Sequence, residues 1–258
     1  MRGFEVKDIH FAYRGGREIL NGASLACEKG SVNVLLGLNG CGKTTLIKIM
    51  SGLLTPVSGE VYYCDKNIHL MTVKDRSKMI SYVKQHGNHV GGYSVNDYLL
   101  MSTINTLGFS EEPEEEQQKK VDECLDQLNI TSFKDRMIGQ LSGGQRQMVS
   151  ICAALVQDTD VIFLDEPTSA LDMRNESSVL NILRGISKES EKIIMFSTHN
   201  PNHALRLNAN VFLMKDGKII DSGQSSEVIR VERLTPIYGE NLCYTREQSI
   251  DEVSYRLD

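Results

Sequence analysis

A β-branched, apolar run, Ser31-Val32-Asn33-Val34-Leu35-Leu36, leads directly into Gly37-Leu38-Asn39-Gly40-Cys41-Gly42-Lys43-Thr44. The octet fits G-x-x-x-x-G-K-[ST], a pattern with little meaning unless a strand enters it and a helix leaves it. Both flanks satisfy that condition. The run before it suits a buried strand. Thr45 to Ser51, with Leu46, Ile49 and Met50 on one side, predicts a helix after it. Glycines let successive backbone N–H groups turn toward a β-phosphate. Lys43 adds a compact positive charge near the β/γ oxygens, and the Thr44 hydroxyl can complete a Mg²⁺ shell.

The remaining chain reads as an α/β protein. Phe4–Ala12 and Ser24–Glu28 are expected strands. Val161-Ile162-Phe163-Leu164 and Ile193-Ile194-Met195-Phe196 are apolar on both faces, as parallel strands covered by helices must be. Val211 to Met214, Asp216-Gly217 and Lys218 to Ile220 suggest a hairpin. Between them, Glu111 to Asn129 carries Val121, Cys124, Leu125 and Leu128 at helical spacing behind an acidic first turn. With Val95–Thr106 and Gly144–Gln157 it predicts a helical insert at about 86–155 in one domain spanning 1–258, with a C-terminal tail from about 222.

Composition excludes several classes. No run approaches the roughly 18 apolar residues of a membrane-spanning helix, and Met1 to Phe11 has no secretory apolar core. A net charge of −6 disfavours a nucleic-acid partner. The cysteines at 27, 41, 64, 124, 152 and 243 form no C-x-x-C pair and read as reduced thiols in a cytosolic protein.

Further residues fit phosphate chemistry. Asp165 ends an apolar strand and can hold Mg²⁺, while the adjoining Glu166 can polarise an attacking water. An isolated Asp-Glu pair would more often be a strand end or helix cap; here Pro167-Thr168-Ser169-Ala170-Leu171-Asp172 follows, downstream of a phosphate loop. His199 follows the next strand, at the edge where open parallel sheets bind ligands. Gln85 closes Ile80-Ser81-Tyr82-Val83-Lys84 and can reach a cation or water; Tyr13 can stack on an adenine or serve as an ordinary strand aromatic.

Together these segments resemble the ATP-binding cassette family over nearly the whole chain. Gly37–Thr44 is similar to its Walker A loop, and Val161–Asp165 to its Walker B strand. Leu141-Ser142-Gly143-Gly144-Gln145 is identical to its signature, and Ser169-Ala170-Leu171-Asp172 resembles its D-loop. The resemblance implies a P-loop core with a mostly parallel sheet, an antiparallel β subdomain and a helical subdomain. It implies that Tyr13, Gly37, Asn39, Gly40, Cys41, Gly42, Lys43, Thr44 and Thr45 bind ATP. Thr44, Gln85 and Asp165 would hold Mg²⁺, with Glu166, His199 and Gln85 catalytic. Two copies would pack head to tail, so that Ser142, Gly143, Gly144, Gln145 and Asp172 of one complete the site of the other.

Finer features resemble bacterial importers of iron chelates, haem, cobalamin and some oxyanions. They are Thr198-His199-Asn200-Pro201-Asn202-His203-Ala204-Leu205, the stretch Tyr93–Met101, and Leu234-Thr235-Pro236-Ile237-Tyr238-Gly239. Ser102-Thr103 departs from the Gly-Arg common at that point. The resemblance implies polytopic permease partners, indirectly a substrate-binding protein, and residence on the cytoplasmic face of a membrane. An exporter subunit or a non-transport ATPase shares the same catalytic residues. The permease groove is expected between about 86 and 140, with Gly91 in a glycine-rich coupling loop.

Overall fold

The computed structural model describes residues 3–85, 92–103, 115–189, 191–240, 242–247 and 250–255. In chain order these hold β1 (Phe4–Ala12), β2 (Glu18–Cys27), β3 (Val32–Leu36), α1 (Lys43–Met50), β4 (Ser58–Tyr63), β5 (Lys66–Asn67), α2 (Val73–Ser77) and β6 (Ile80–Val83). Then follow α3 (Val95–Ser102), α4 (Glu115–Gln127), α5 (Gly143–Val156), β7 (Val161–Asp165), α6 (Met173–Glu189), β8 (Ile193–Thr198) and α7 (Pro201–Leu207). The last are β9 (Asn210–Lys215), β10 (Lys218–Gln224), α8 (Ser225–Val228), α9 (Val231–Tyr238), β11 (Leu242–Glu247) and β12 (Ile250–Tyr255).

Among the described residues the central sheet has the order β10-β9-β3-β8-β7-β6, parallel except for the edge hairpin β9–β10. Its pleat sorts the apolar runs cleanly between two cores. Leu36, Ile162, Leu164, Ile194 and Phe196 face one core, with α5, α6 and α7 against them. Leu35, Val161, Phe163, Ile193 and Met195 face the other, where α1 and the antiparallel sheet β2-β1-β4-β5 cover them. Alternation within an uninterrupted apolar strand is the mark of a sheet covered on both sides, and this mixed α/β architecture is the one expected. Val121, Cys124 and Leu125 of α4 join Val95 and Leu99 of α3 on the apolar face of α5, adding a helical layer to the first core.

Several boundaries differ from expectation. β2 begins at Glu18, not Ser24, because its register against β1 shifts around Ile9, with Asp8 at φ 48° and Gly22 at φ 82°. Such bulges break the period-2 pattern on which strand reading depends. The helices expected at Val95–Thr106 and Glu111–Asn129 are described as α3 and α4, while 104–114 lie outside the described residues. So do 86–91, including Gly91. The segment read as a tail holds α8, α9 and the hairpin β11–β12. Asn202 of α7 fixes that hairpin, donating to Val253 O at 3.0 Å and accepting from Val253 N–H at 2.8 Å.

Candidate functional site

All five residues of β3 are buried in the sheet centre, so the loop after Leu36 emerges between β8 and β9. Two positions require glycine. Gly42 N-caps α1 at φ 111°, a conformation that side chains rarely adopt. A Cβ on Gly37 would lie 2.4 Å from Met214 O and 2.7 Å from Cys41 Sγ. Burial pushes the Cys41 thiol pKa up, partly offset by the Lys43 charge. The Lys43 ammonium is buried and donates to Gly37 O at 2.8 Å and Leu38 O at 3.1 Å.

β7 and β8 deliver the carboxylates. Asp165, at the end of β7, accepts hydrogen bonds on Oδ1 from Thr44 Oγ1 at 3.1 Å and Ser197 Oγ at 2.7 Å. Glu166 sits in the left-handed region at φ 43°, and its N–H donates to the same Ser197 oxygen at 3.0 Å. That backbone conformation is a costly one for a residue other than glycine. Three groups meet it: Lys43 Nζ at 3.4 Å, Gln85 Nε2 donating at 2.8 Å and His199 Nδ1 at 3.7 Å.

Beside this cluster lies a cavity of about 380 Å³, lined by Ile19, Asn39, Gly40, Gly42, Lys43, Thr44, Thr45, Gln85 and Glu166. Gly40, at φ 81°, has open space where a Cβ would stand. A buried cation under exposed loop amides fits a polyphosphate, and the hydroxyl–carboxylate pair of Thr44 and Asp165 offers the hard oxygen donors that Mg²⁺ prefers.

Other expected residues stand elsewhere. Tyr13 is 48% exposed, off that wall, its ring edge-on to Phe11 at 4.9 Å. Ser142 N-caps α5 in a reciprocal capping box with Gln145: Gln145 N–H donates to Ser142 Oγ at 3.3 Å and Ser142 N–H to Gln145 Oε1 at 2.9 Å. Gly143 is exposed and Gly144 partly so, and a Cβ on Gly144 would come 2.7 Å from Ala170 O. Asp172 is exposed and accepts from the Asn175 N–H at 2.9 Å at the start of α6. These five residues thus form a surface apart from the phosphate-loop cavity.

Ser197 was the residue missed. Its signal was a hydroxyl inside the apolar run of β8, since a fully buried polar group requires a partner. Tyr238 was also passed over, although its hydroxyl donates to His199 O at 2.9 Å.

Residues 20–169 match the family described as ABC transporter. The iron(3+)-hydroxamate import ATP-binding protein FhuC of Bacillus subtilis is 31% identical over 92% of this chain and 88% of its own. A chain from an inward-facing transporter described as of metal-chelate type superposes with a TM-score of 0.81 at 26% identity, covering 99% of this chain and 97% of its own. The ATP-binding cassette MJ0796, solved as a dimer in a post-hydrolysis state with ADP and Pi, superposes with a TM-score of 0.79 at 26% identity, covering 86% and 98%. The chain belongs to the ABC transporter family and is one of its ATP-binding, ATP-hydrolysing members.

Proposed function

We propose that this chain powers uptake of a metal chelate through a separate polytopic permease, working as a two-copy ATPase on the cytoplasmic face of a membrane. The observation that carries the chemistry is the meeting of Lys43, Gln85 and His199, from three separate segments, on one Glu166 carboxylate beside the loop cavity.

Each residue then has a physical task. The loop amides from Gly37 to Thr45, with Asn39, Gly40, Cys41 and Gly42 at its crest, receive the ATP phosphates, and Lys43 balances their charge. Thr44, Asp165 and Gln85 would hold Mg²⁺, which would supply positive charge against the phosphates. Glu166 takes a proton from the attacking water, and the Gln85 amide and His199 ring orient that carboxylate. Tyr13 stacks on the adenine. The first turn of α5, 14 residues long, offers Ser142, Gly143 and Gly144 N–H groups as an anion site, with Gln145 holding its cap. With Asp172 they complete the site of a second copy, a reading supported by none of them lining the cavity of their own chain.

No described helix is long and apolar enough to cross a membrane, so on this reading translocation belongs to the permease. Chelate import draws support from the name of the Bacillus subtilis relative and from the metal-chelate type neighbour. The test is uptake of a ferric hydroxamate chelate into vesicles holding this chain and its co-expressed permease. ATP-dependent uptake that Glu166→Gln abolishes is expected. The reading fails if no membrane protein co-purifies and no uptake occurs.

A further inference from the structure

The cysteines at 124 and 152 are 28 positions apart in sequence, on α4 and α5, yet the Cys152 thiol donates to Cys124 Sγ at 2.8 Å. The Cys124 thiol also lies 3.7 Å from Cys152 O. Both are free thiols in the first core, Cys152 fully buried and Cys124 nearly so. Nothing in the nucleotide chemistry uses either. One of them is nevertheless reachable, because Cys124 forms part of the wall of a separate cavity of about 300 Å³ between α4, the end of α5 and α6, where Lys120, Gln127, Leu155 and Ile186 are its neighbours.

We propose that Cys124 and Cys152 are a reversible oxidation site at which a small hydroperoxide converts the dithiol to a disulfide, stapling α4 to α5. The geometry assigns the roles. Cys124 lines the cavity, where a peroxide can reach it, and accepts the Cys152 S–H. The hydrogen bond to Cys124 and burial push the Cys152 pKa up, so Cys152, which does not line the cavity, keeps its proton while Cys124 meets the peroxide. In the first step Cys124 thiolate attacks one peroxide oxygen and the O–O bond breaks. Sulfur is oxidised to sulfenic acid, and the displaced hydroxide takes a proton to become water. In the second step Cys152 Sγ attacks the Cys124 sulfur, the S–O bond breaks, and the leaving hydroxide departs as water with the Cys152 proton. The sum is two thiols and hydrogen peroxide giving a disulfide and two waters. Closing from 2.8 Å to the ~2.05 Å of a disulfide moves the sulfurs by less than about 1 Å. The helical layer therefore keeps its packing in both states.

The test uses the full chain, treated with hydrogen peroxide, alkylated under denaturing conditions and mapped by mass spectrometry. The expected product has lost the mass of two hydrogen atoms, yields a linked Cys124–Cys152 peptide, and returns to the dithiol with dithiothreitol. Because the crosslink restrains the unfolded chain, the oxidised protein should melt higher by roughly 5 °C or more. In Cys152→Ser, with no resolving thiol, Cys124 should instead be trapped by a sulfenic-acid reagent. Mapping of the unsubstituted chain decides the matter should that variant not fold. The proposal is overturned if Cys124 and Cys152 stay alkylatable while other cysteines oxidise. It is equally overturned if Cys124 becomes sulfinic acid with Cys152 still free, or if the linked protein melts lower than the reduced one.

Discussion

Lys43 Nζ stands 3.4 Å from Glu166 Oε1, although 123 positions separate the residues, and both side chains are about nine-tenths buried or more. The ammonium proposed to meet phosphate is thus balanced by the carboxylate proposed to act on water. On that reading a polyphosphate entering the cavity would compete for the ammonium and leave Glu166 to Gln85 and His199, which already meet its other oxygen. Removing either partner leaves a buried charge with less compensation, an expensive state.

Glu166→Gln and Lys43→Ala should therefore separate. The amide keeps the shape of the carboxylate but accepts no proton, so turnover should fall ~100-fold or more while ATP binding persists. Lys43→Ala should lose binding and turnover together. Equilibrium binding of a fluorescent ATP analogue beside phosphate release distinguishes them; normal turnover by Glu166→Gln would remove the base from its role.

Ser197→Ala removes one hydroxyl that serves two buried groups, Asp165 Oδ1 and the Glu166 N–H in its left-handed turn. With the Glu166 N–H left unsatisfied and Asp165 Oδ1 keeping only Thr44, the loss should cost about 1–3 kcal/mol in urea denaturation. Turnover should drop more than ATP affinity, because the carboxylates lose their aim while the phosphate loop is untouched. A loss of stability with unchanged kcat would make Ser197 purely structural.

A pH test follows from His203. It is buried against the Phe196 ring, shares Thr198 Oγ1 at 2.8 Å, and lies 3.3 Å from Glu176 Oε1 with Arg206 and His199 nearby. Burial lowers its pKa below 6.5, and the Glu176 carboxylate only partly opposes this. The unfolded chain then binds the proton more readily than the folded one. His203 thus leaves stability unaffected well above 6.5 and subtracts from it as the pH falls through that value. His69, also lowered by burial, acts in the same direction. Between about pH 7 and about pH 5 His203→Asn should lose less stability than the parent chain, as read by denaturant midpoints.

Assembly offers a fourth outcome. Ser142→Arg would place a bulky cation where α5 presents its N-terminal amides. Loss of the cap costs about 1 kcal/mol, too little to unfold the chain. In the Glu166→Gln background, light scattering should find an ATP-dependent dimer that Ser142→Arg abolishes while one-chain ATP binding survives. A dimer that tolerates Ser142→Arg would place the contact elsewhere.

What the sequence made legible was local or rigidly periodic. The strand, loop and helix from Val32 to Met50 are contiguous, and the two-faced strands carry their apolar pattern openly. Asp165 could be read as a cation holder from its place at a strand end, but not its contact with Thr44, because the order β3-β8-β7 brings it across from 121 positions away. Ser197 was obscured because a hydroxyl in a strand says nothing of its partner. α9 was obscured because Pro236 sits inside it, where propensity argues against a helix; Leu234 and Ile237 hold it by burial. β11 and β12 are short, and they are held by long-range contacts, Leu242 and Val253 in the first core and the Asn202 side chain far off in sequence.

That C-terminal segment leads to the last expected outcome. The stretch after β8 is held from several sides: Thr198 Oγ1 meets His203 Nδ1 at 2.8 Å and accepts from Asn200 N–H at 3.0 Å, and Asn200 caps α7. His199 itself is 54% exposed at its side chain, so its backbone is the part the fold restrains, and Tyr238 supplies a hydrogen bond to its carbonyl. Tyr238→Phe deletes that one bond and keeps the ring against the first core. At about 1 kcal/mol, the loss should cut kcat by up to roughly 5-fold through a less well placed His199, with KM for ATP nearly unchanged and the melting temperature lowered by no more than about 2–4 °C. Because the effect travels through His199, it should vanish in a His199→Ala background. If Tyr238→Phe slows that background by the same factor, Tyr238 acts through something other than His199. If His199→Ala turns over ATP normally, the histidine has no part in hydrolysis and Tyr238 has nothing to position.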